Sequence, residues 1–226
     1  MEKYINKIIN ADCIDILKQL PDKCIDLVLT DIPYGEVNRS SNGLRELDKG
    51  YADIVTFDLY ALLTEIVRIC KGSIYFFCGI EQVSTIRKYL VFKNFSTRLI
   101  IWEKTNPSPM NGDTIWLSGI ECCVYGKLPN AIFNEHCKNT VLRFPICNEK
   151  FKFHSTQKPL NLFEYLVNVS SKENDLILDC FSGSGTTAIA CHNLNRRFIC
   201  IEKDYDYWKA SVERLNNAQA QLKLAL

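Results

Sequence analysis

Asp31, Ile32, Pro33 and Tyr34 follow the apolar run Leu27-Val28-Leu29-Thr30, so a carboxylate, a stiff turn and a flat ring gather where a buried segment surfaces. That set suits the activation of a planar amine whose lone pair is delocalised into its ring. The Asp31 carboxylate and the Ile32 carbonyl could accept the amine hydrogens and draw the nitrogen towards sp3 character. They would also stabilise the positive charge that grows as the nitrogen attacks an electrophile. Tyr34 offers a face on which an extruded base could stack, and holding the reactants in line would supply much of the rate. The same four residues would also serve as a plain strand-end turn, with the aspartate capping and the proline bending the chain.

A second cluster lies far downstream. Asp175-Leu176-Ile177-Leu178-Asp179-Cys180-Phe181-Ser182-Gly183-Ser184-Gly185-Thr186-Thr187 places an apolar strand, an acid, two glycines and a helix start in that order. Glycines let the backbone turn tightly and approach a ligand closely. Glu202 closes the next strand, 23 residues after Asp179, where an acid in nucleotide-binding sheets accepts hydrogen bonds from ribose hydroxyls. The absence of a following Gly-Lys-Ser/Thr argues against a Walker phosphate loop. The pattern alone does not separate a dinucleotide from S-adenosylmethionine.

The elements that must position these clusters are legible as alternating apolar runs. Strands are predicted over 4–9, 25–30, 73–78, 98–103, 120–125, 175–179 and 197–202, and helices over 13–20, 57–70, 81–92, 160–169, 185–194 and 205–222. Strands this apolar, alternating with helices, predict an α/β fold with a mostly parallel seven-stranded sheet covered on both faces. Ligands of such sheets collect at the carboxyl ends of the strands. On the last helix, Trp208, Val212, Leu215 and Leu222 form one stripe, expected to pack on the sheet rather than to form a dimer seam.

Two segments break the pattern. Residues 36–56 are polar, with Gly43 and Gly50 as turn points. Residues 127–153 are irregular, with Pro129 and Pro145, and as far as Lys158 they carry six Lys/Arg (127, 138, 143, 150, 152, 158) against Glu135 and Glu149. Long insertions in a compact domain are usually functional or disordered.

Composition bounds the rest. At 226 residues with 47% apolar and 23% charged content, the chain is expected to be one domain over 1–226. A net charge of +1 means that any nucleic-acid surface must be local. Apolar runs fall short of the ~18–20 residues of a membrane helix, and the Met1-Glu2-Lys3 start does not resemble a signal peptide. The eleven cysteines sit mostly in apolar stretches with scattered spacing, which predicts buried thiols in a reducing cytoplasm. Cys122, Cys123, His136, Cys137 and Cys147 lack the Cys-x2-Cys pair typical of zinc sites, so no metal is expected.

Asp179-Cys180-Phe181-Ser182-Gly183-Ser184-Gly185-Thr186-Thr187 resembles the cofactor loop Asp-Pro-Phe-x-Gly-Ser-Gly-Thr-Thr of DNA amino-methyltransferases, with Cys180 in place of proline. Asp31-Ile32-Pro33-Tyr34 resembles the Asp-Pro-Pro-Tyr signature of N6-adenine methyltransferases, with Ile32 in the second position. Asn10-Ala11-Asp12-Cys13 resembles the usual opening of these enzymes, and His154-Ser155-Thr156-Gln157-Lys158-Pro159 resembles His-Pro-Thr-Gln-Lys-Pro. Residues 101–106 and 120–124 look like their later strands. The catalytic motif precedes the cofactor loop, as in the circularly permuted β group.

This resemblance implies a Rossmann-like, S-adenosylmethionine-dependent fold that methylates N6 of adenine in double-stranded DNA by base flipping and direct in-line transfer. N4-cytosine methylation and a non-catalytic DNA- or cofactor-binding relative are the alternatives. It assigns catalysis to Asp31, Ile32, Pro33 and Tyr34. It assigns the cofactor to Asp12, Cys13, Asp179, Phe181, Gly183, Gly185, Thr186 and Glu202, together with Thr156 and Lys158. It makes 127–153 a short target-recognition insertion and 36–56 a substrate-side loop. A cognate restriction endonuclease, a homodimer and a cytoplasmic bacterial or phage setting are compatible with it.

Overall fold

The computed structural model describes residues 1–33, 58–109, 112–147 and 157–224. The apolar runs assemble into one eight-stranded sheet. Its spatial order is β1 (Lys7–Asn10), β8 (Arg197–Glu202), β7 (Leu176–Asp179), β2 (Ile25–Asp31), β3 (Cys70–Cys78), β5 (Ile120–Lys127), β4 (Ser96–Lys104) and β6 (Val141–Phe144). The first five of these pair in parallel, β5 runs antiparallel to both neighbours, and β6 pairs in parallel with β4. All seven strands expected from the hydrophobic runs are present. The eighth, β6, corrects the seven-stranded expectation and lies inside the segment read as irregular. It is four residues long, alternates between exposed and half-buried positions, and is followed by Pro145. Tertiary pairing secures it, with Ile101 N donating to Thr140 O at 2.9 Å and Thr105 N to Phe144 O at 3.2 Å.

Alternation along each strand feeds two cores. On β3, Ile74, Phe76 and Cys78 join one cluster while Tyr75 and Phe77 join the other, as the two-residue period of a strand requires. The first cluster takes α1 (Cys13–Leu17), α2 (Leu59–Ile69) and α3 (Ile80–Phe92); the second takes α4 (Leu160–Ser170), α5 (Thr186–Asn193) and α6 (Tyr205–Leu224). Asp58 starts α2 by accepting from Tyr60 N and Ala61 N at 2.8 and 3.1 Å. Leu62, Leu63, Ile66 and Ile69 of that helix are wholly buried, each contributing about 1.5–3 kcal/mol of burial. On α6, Trp208, Val212 and Leu215 pack on the second core, and Trp208 Nε1 donates to Ile8 O at 2.9 Å. The stripe expected on this helix therefore covers the sheet over these three residues. All eleven cysteines are free, and nine are buried.

One consequence matters for chemistry. Parallel pairing brings the carboxyl ends of β1, β8, β7, β2 and β3 to a single edge, and the antiparallel β5 contributes its start, Ile120-Glu121, to that same edge.

Candidate active site

β2 ends at Asp31, level with Phe77 of β3, and the next residue is anchored because Ile32 N donates to Phe77 O at 3.0 Å. The Ile32 side chain is fully buried in the first core. Pro33 is braced from α3, where Gln82 Nε2 donates to its carbonyl at 3.1 Å while Gln82 Oε1 accepts from Gly79 N at 3.0 Å. The start of α3 thus holds the tip of the catalytic strand. Tyr34 and the substrate-side segment 36–56 lie outside the described residues, as does Thr156.

Lys158, expected at the cofactor, sits beside Asp31. Its ammonium, on a side chain only 5% exposed, is ion-paired with Asp31 Oδ2 and lies 3.1 Å from Glu121 Oε2. The opposite oxygen of Glu121 pairs with Lys104 Nζ at 2.9 Å. Burial pushes the Glu121 carboxyl up, but the Lys158 and Lys104 ammonium groups outweigh it and hold the group below its usual range. The Asp31 carboxylate therefore heads an alternating row of four charges drawn from β2, α4's leading segment, β5 and β4. Neither Glu121 nor Lys104 stands out as a motif residue; the available signal was an acid and a base flanking the loop between two strands.

The glycine loop follows β7. Asp179 is buried and points inward. Its Oδ1 accepts from Thr30 Oγ1 at 2.8 Å and Phe181 N at 3.1 Å, and its Oδ2 from Thr187 Oγ1 at 2.5 Å. Burial pushes its carboxyl up to about 6, against the pull of these hydrogen bonds. Asp179 thus ties β2, the loop and α5 together. Thr30 also accepts from Cys180 N at 3.2 Å, a bond that a proline at position 180 could not make. Gly183 and Gly185 have φ of 48° and 76°, and a Cβ on Gly185 would sit 3.1 Å from Ser211 Cβ. Thr186 is buried beneath the loop, its hydroxyl 3.4 Å from Lys158 O and 3.1 Å from Arg214 Nη1.

Glu202 ends β8 beside Asn10 of β1. Its Oε2 accepts from Gly183 N at 2.7 Å and its Oε1 from Asp204 N at 2.9 Å; burial is the main cause of its raised carboxyl pKa. Asp12 caps α1 through Ile14 N at 3.0 Å and pairs with Lys203 at 3.1 Å. Cys13 is buried, and burial pushes its thiol up to about 12, so it lines the core beneath the site as a neutral side chain. Of the residues assigned to the cofactor, Asp12, Glu202, Gly183 and Gly185 gather at the ends of β1, β8 and β7, with half-buried Phe181 in the same loop. Asp179, Thr186 and Cys13 support them from below. Among the described residues no group of three or more His, Cys, Asp or Glu side chains is arranged to hold a metal ion.

The expected recognition insertion is split by the fold. Lys127 lies level with Ser73 and Ser96, at the edge opposite Asp31. Asn134 binds the far end of α4 through Asn168 O and Ser171 O at 2.7 and 2.9 Å. The chain regains the Asp31 edge at β6, where Phe144 is level with Lys104.

Comparison with known proteins agrees with this geometry. A family model described as DNA methylase matches residues 112–213. Across 94% of its length the chain is 32% identical to the Type II methyltransferase M.HinfI of Haemophilus influenzae, covering 68% of that protein. It is 28% identical to the Type II methyltransferase M2.MboI of Moraxella bovis, over 96% of this chain and 89% of the other. Among solved structures, the M1.HpyAVI–SAM complex superposes with a TM-score of 0.71 at 29% identity, covering 93% of this chain and 98% of that one. The cytosine-N4-specific PvuII DNA methyltransferase shares the fold, with a TM-score of 0.71 at 16% identity over 95% of this chain and 93% of that one.

Proposed function

The chain belongs to the DNA methylase family and is an S-adenosylmethionine-dependent DNA amino-methyltransferase, and we propose that it methylates N6 of adenine with Asp31 as the centre of the reaction. The observation that carries this reading is the Asp31 carboxylate itself. It ends β2 beside the glycine loop of β7 and is paired with the buried Lys158. A serine or threonine in the first position would instead fit the N4-cytosine pattern.

The residues present suit the cofactor. Asp12 and Glu202 supply acceptors for its amino and hydroxyl groups, and the left-handed glycines admit a close ligand. Bound there, S-adenosylmethionine supplies an electrophilic methyl group. Asp31 accepts one amine hydrogen and the Ile32 carbonyl another, so that the lone pair is localised and the growing positive charge is met by fixed acceptors. Gln82 and the Ile32–Phe77 bond hold those acceptors in place. Once the nitrogen carries its new bond, Asp31 can take the proton it sheds. Tyr34 supplies a stacking face for the extruded adenine.

Residues 36–56 and the part of 127–153 from β6 onward supply the DNA-facing segments in this reading, supported by the place of 36–56 after the Asp31 motif and by the return of β6 to the Asp31 edge. Among the described residues no helix is long and apolar enough to cross a membrane. The Type II methyltransferases it resembles make a cognate restriction endonuclease a natural companion.

The identity of the base is tested by incubating purified protein with unmethylated DNA and isotopically labelled S-adenosylmethionine, then chromatographing the nucleosides. Label in N6-methyl-2′-deoxyadenosine is expected; label in N4-methyl-2′-deoxycytidine would replace adenine by cytosine.

A further inference from the structure

The charged row Asp31–Lys158–Glu121–Lys104, in which Lys158 is buried and the other three are partly exposed, goes beyond the residues needed to hold a cofactor or contact a base. We propose that Glu121 is a positioning residue for methyl transfer, acting through Lys158, and that Lys104 steadies it from outside. The inference rests on Asp31 being the reaction centre. A buried ammonium with a single carboxylate partner would commit that carboxylate to itself, because leaving a buried charge unpaired is costly. Here Lys158 has two carboxylates, Asp31 and Glu121. When an amine takes its place at Asp31, Lys158 keeps Glu121, so Asp31 can exchange one partner for another without stranding a charge. Lys104, 13% exposed and 2.9 Å from the other oxygen of Glu121, balances that carboxylate and keeps the row neutral. Phe77 closes the side of the row, its ring centre 5.7 Å from Lys158 Nζ. Glu121 reaches this edge only because β5 is antiparallel and begins there.

Single-turnover transfer at saturating cofactor and DNA reads this coupling without counting inactive molecules. Glu121→Gln is expected to slow transfer about 10-fold and Lys158→Met more, while calorimetry shows S-adenosylmethionine affinity within about 3-fold of wild type for Glu121→Gln. In the double variant, Glu121→Gln should add less than about 2-fold to the loss from Lys158→Met, because Glu121 acts only through that lysine. Losses that multiply, or a wild-type rate in Glu121→Gln, would overturn the proposal. If Glu121→Gln does not fold, Lys104→Met is carried through the same cycle against Lys158→Met, with the same non-additivity expected. Asp31→Asn separates the two readings. An active Asp31→Asn enzyme removes the centre itself, whereas an inactive one beside a fully active Glu121→Gln enzyme removes only the role of Glu121.

A separate observation points to a DNA contact. Residues 112–119 lead into the start of β5 and are rooted at the Asp31 edge, with Lys104 N donating to Gly119 O at 2.8 Å. Within them Trp116 is 95% exposed, the most exposed large apolar side chain among the described residues, between Ile115 at 59% and Leu117 at 43%. We infer that this tip meets the DNA and that Trp116 stacks on or wedges between bases, since aromatic and apolar tips compensate for unstacking as a base leaves the duplex. It commits to DNA because a duplex delivering a base to Asp31 must lie along this edge. The chain has three tryptophans, of which Trp102 is buried and Trp208 half-buried, so the part of a DNA-induced quench that is lost in Trp116→Phe reports on the tip. Duplex DNA should quench wild-type emission, Trp116→Phe should lose most of that quench, and Trp116→Ala should raise KM for DNA about 10-fold with cofactor affinity unchanged. A quench retained in Trp116→Phe, or an unchanged KM for DNA, would overturn the contact. So would sedimentation showing that Trp116→Ala only converts a dimer to a monomer.

Discussion

Glu202 illustrates how one side chain can serve loop and ligand together. Both carboxylate oxygens already accept a backbone N–H, from Gly183 and Asp204, so the group is oriented before any ligand arrives. Charge-assisted hydrogen bonds of this kind are worth about 1.5–3 kcal/mol each. Glu202→Ala is therefore expected to weaken S-adenosylmethionine binding at least 10-fold by calorimetry; unchanged affinity would remove the ribose role. The departures from the family motifs are informative at the same scale. Ile32 and Cys180 stand where the resembled motifs carry proline, and in both the N–H is used, towards Phe77 O at 3.0 Å and Thr30 Oγ1 at 3.2 Å. Ile32→Pro deletes one of these bonds and the buried Ile32 side chain, so chemical denaturation should show a loss of about 1–3 kcal/mol.

Between elements, Asp179 is the joint. It binds Thr30 of β2, Phe181 of the loop and Thr187 of α5, and its burial raises the carboxyl from 3.8 to about 6. An acid whose pKa is raised on folding favours the folded state at low pH. That contribution is whole below about pH 4 and disappears as pH climbs through about 6, amounting to about 3 kcal/mol across the window. Asp179→Asn should lose this pH-dependent component of the unfolding free energy; an identical profile in both proteins would contradict the buried, raised carboxyl. The strands and helices were legible because each carries an apolar run of suitable period. β6 was not, because Val141-Leu142-Arg143-Phe144 is short, half-exposed and held only by pairing with β4. The motif halves of the site were legible too. Glu121, Lys104 and Gln82 were not, since their roles depend on the reversed direction of β5 and on where α3 begins, neither of which a local pattern carries. Lys158 was singled out, but its partner Asp31 lies 127 residues away.

For the molecule as a whole, a net charge of +1 implies a limited electrostatic hold on DNA. Proteins making six to ten phosphate contacts show steep salt dependence, with log K falling by roughly 0.9 per contact for each unit of log salt. Here the slope should be shallower, with a magnitude below about 5, measured by titrating duplex DNA across a salt series. A slope near −10 would point to a far larger basic footprint. The central claim concerns Asp31, at which the edge, the charged row and the glycine loop converge. Its most direct test pairs two measurements on Asp31→Ala: single-turnover methylation of unmethylated DNA and calorimetric titration with S-adenosylmethionine. Transfer should fall by at least about 1,000-fold, the scale reached when a preorganised electrostatic contact is removed, while cofactor affinity stays within about 3-fold. Methylation at the wild-type rate in Asp31→Ala would contradict the account.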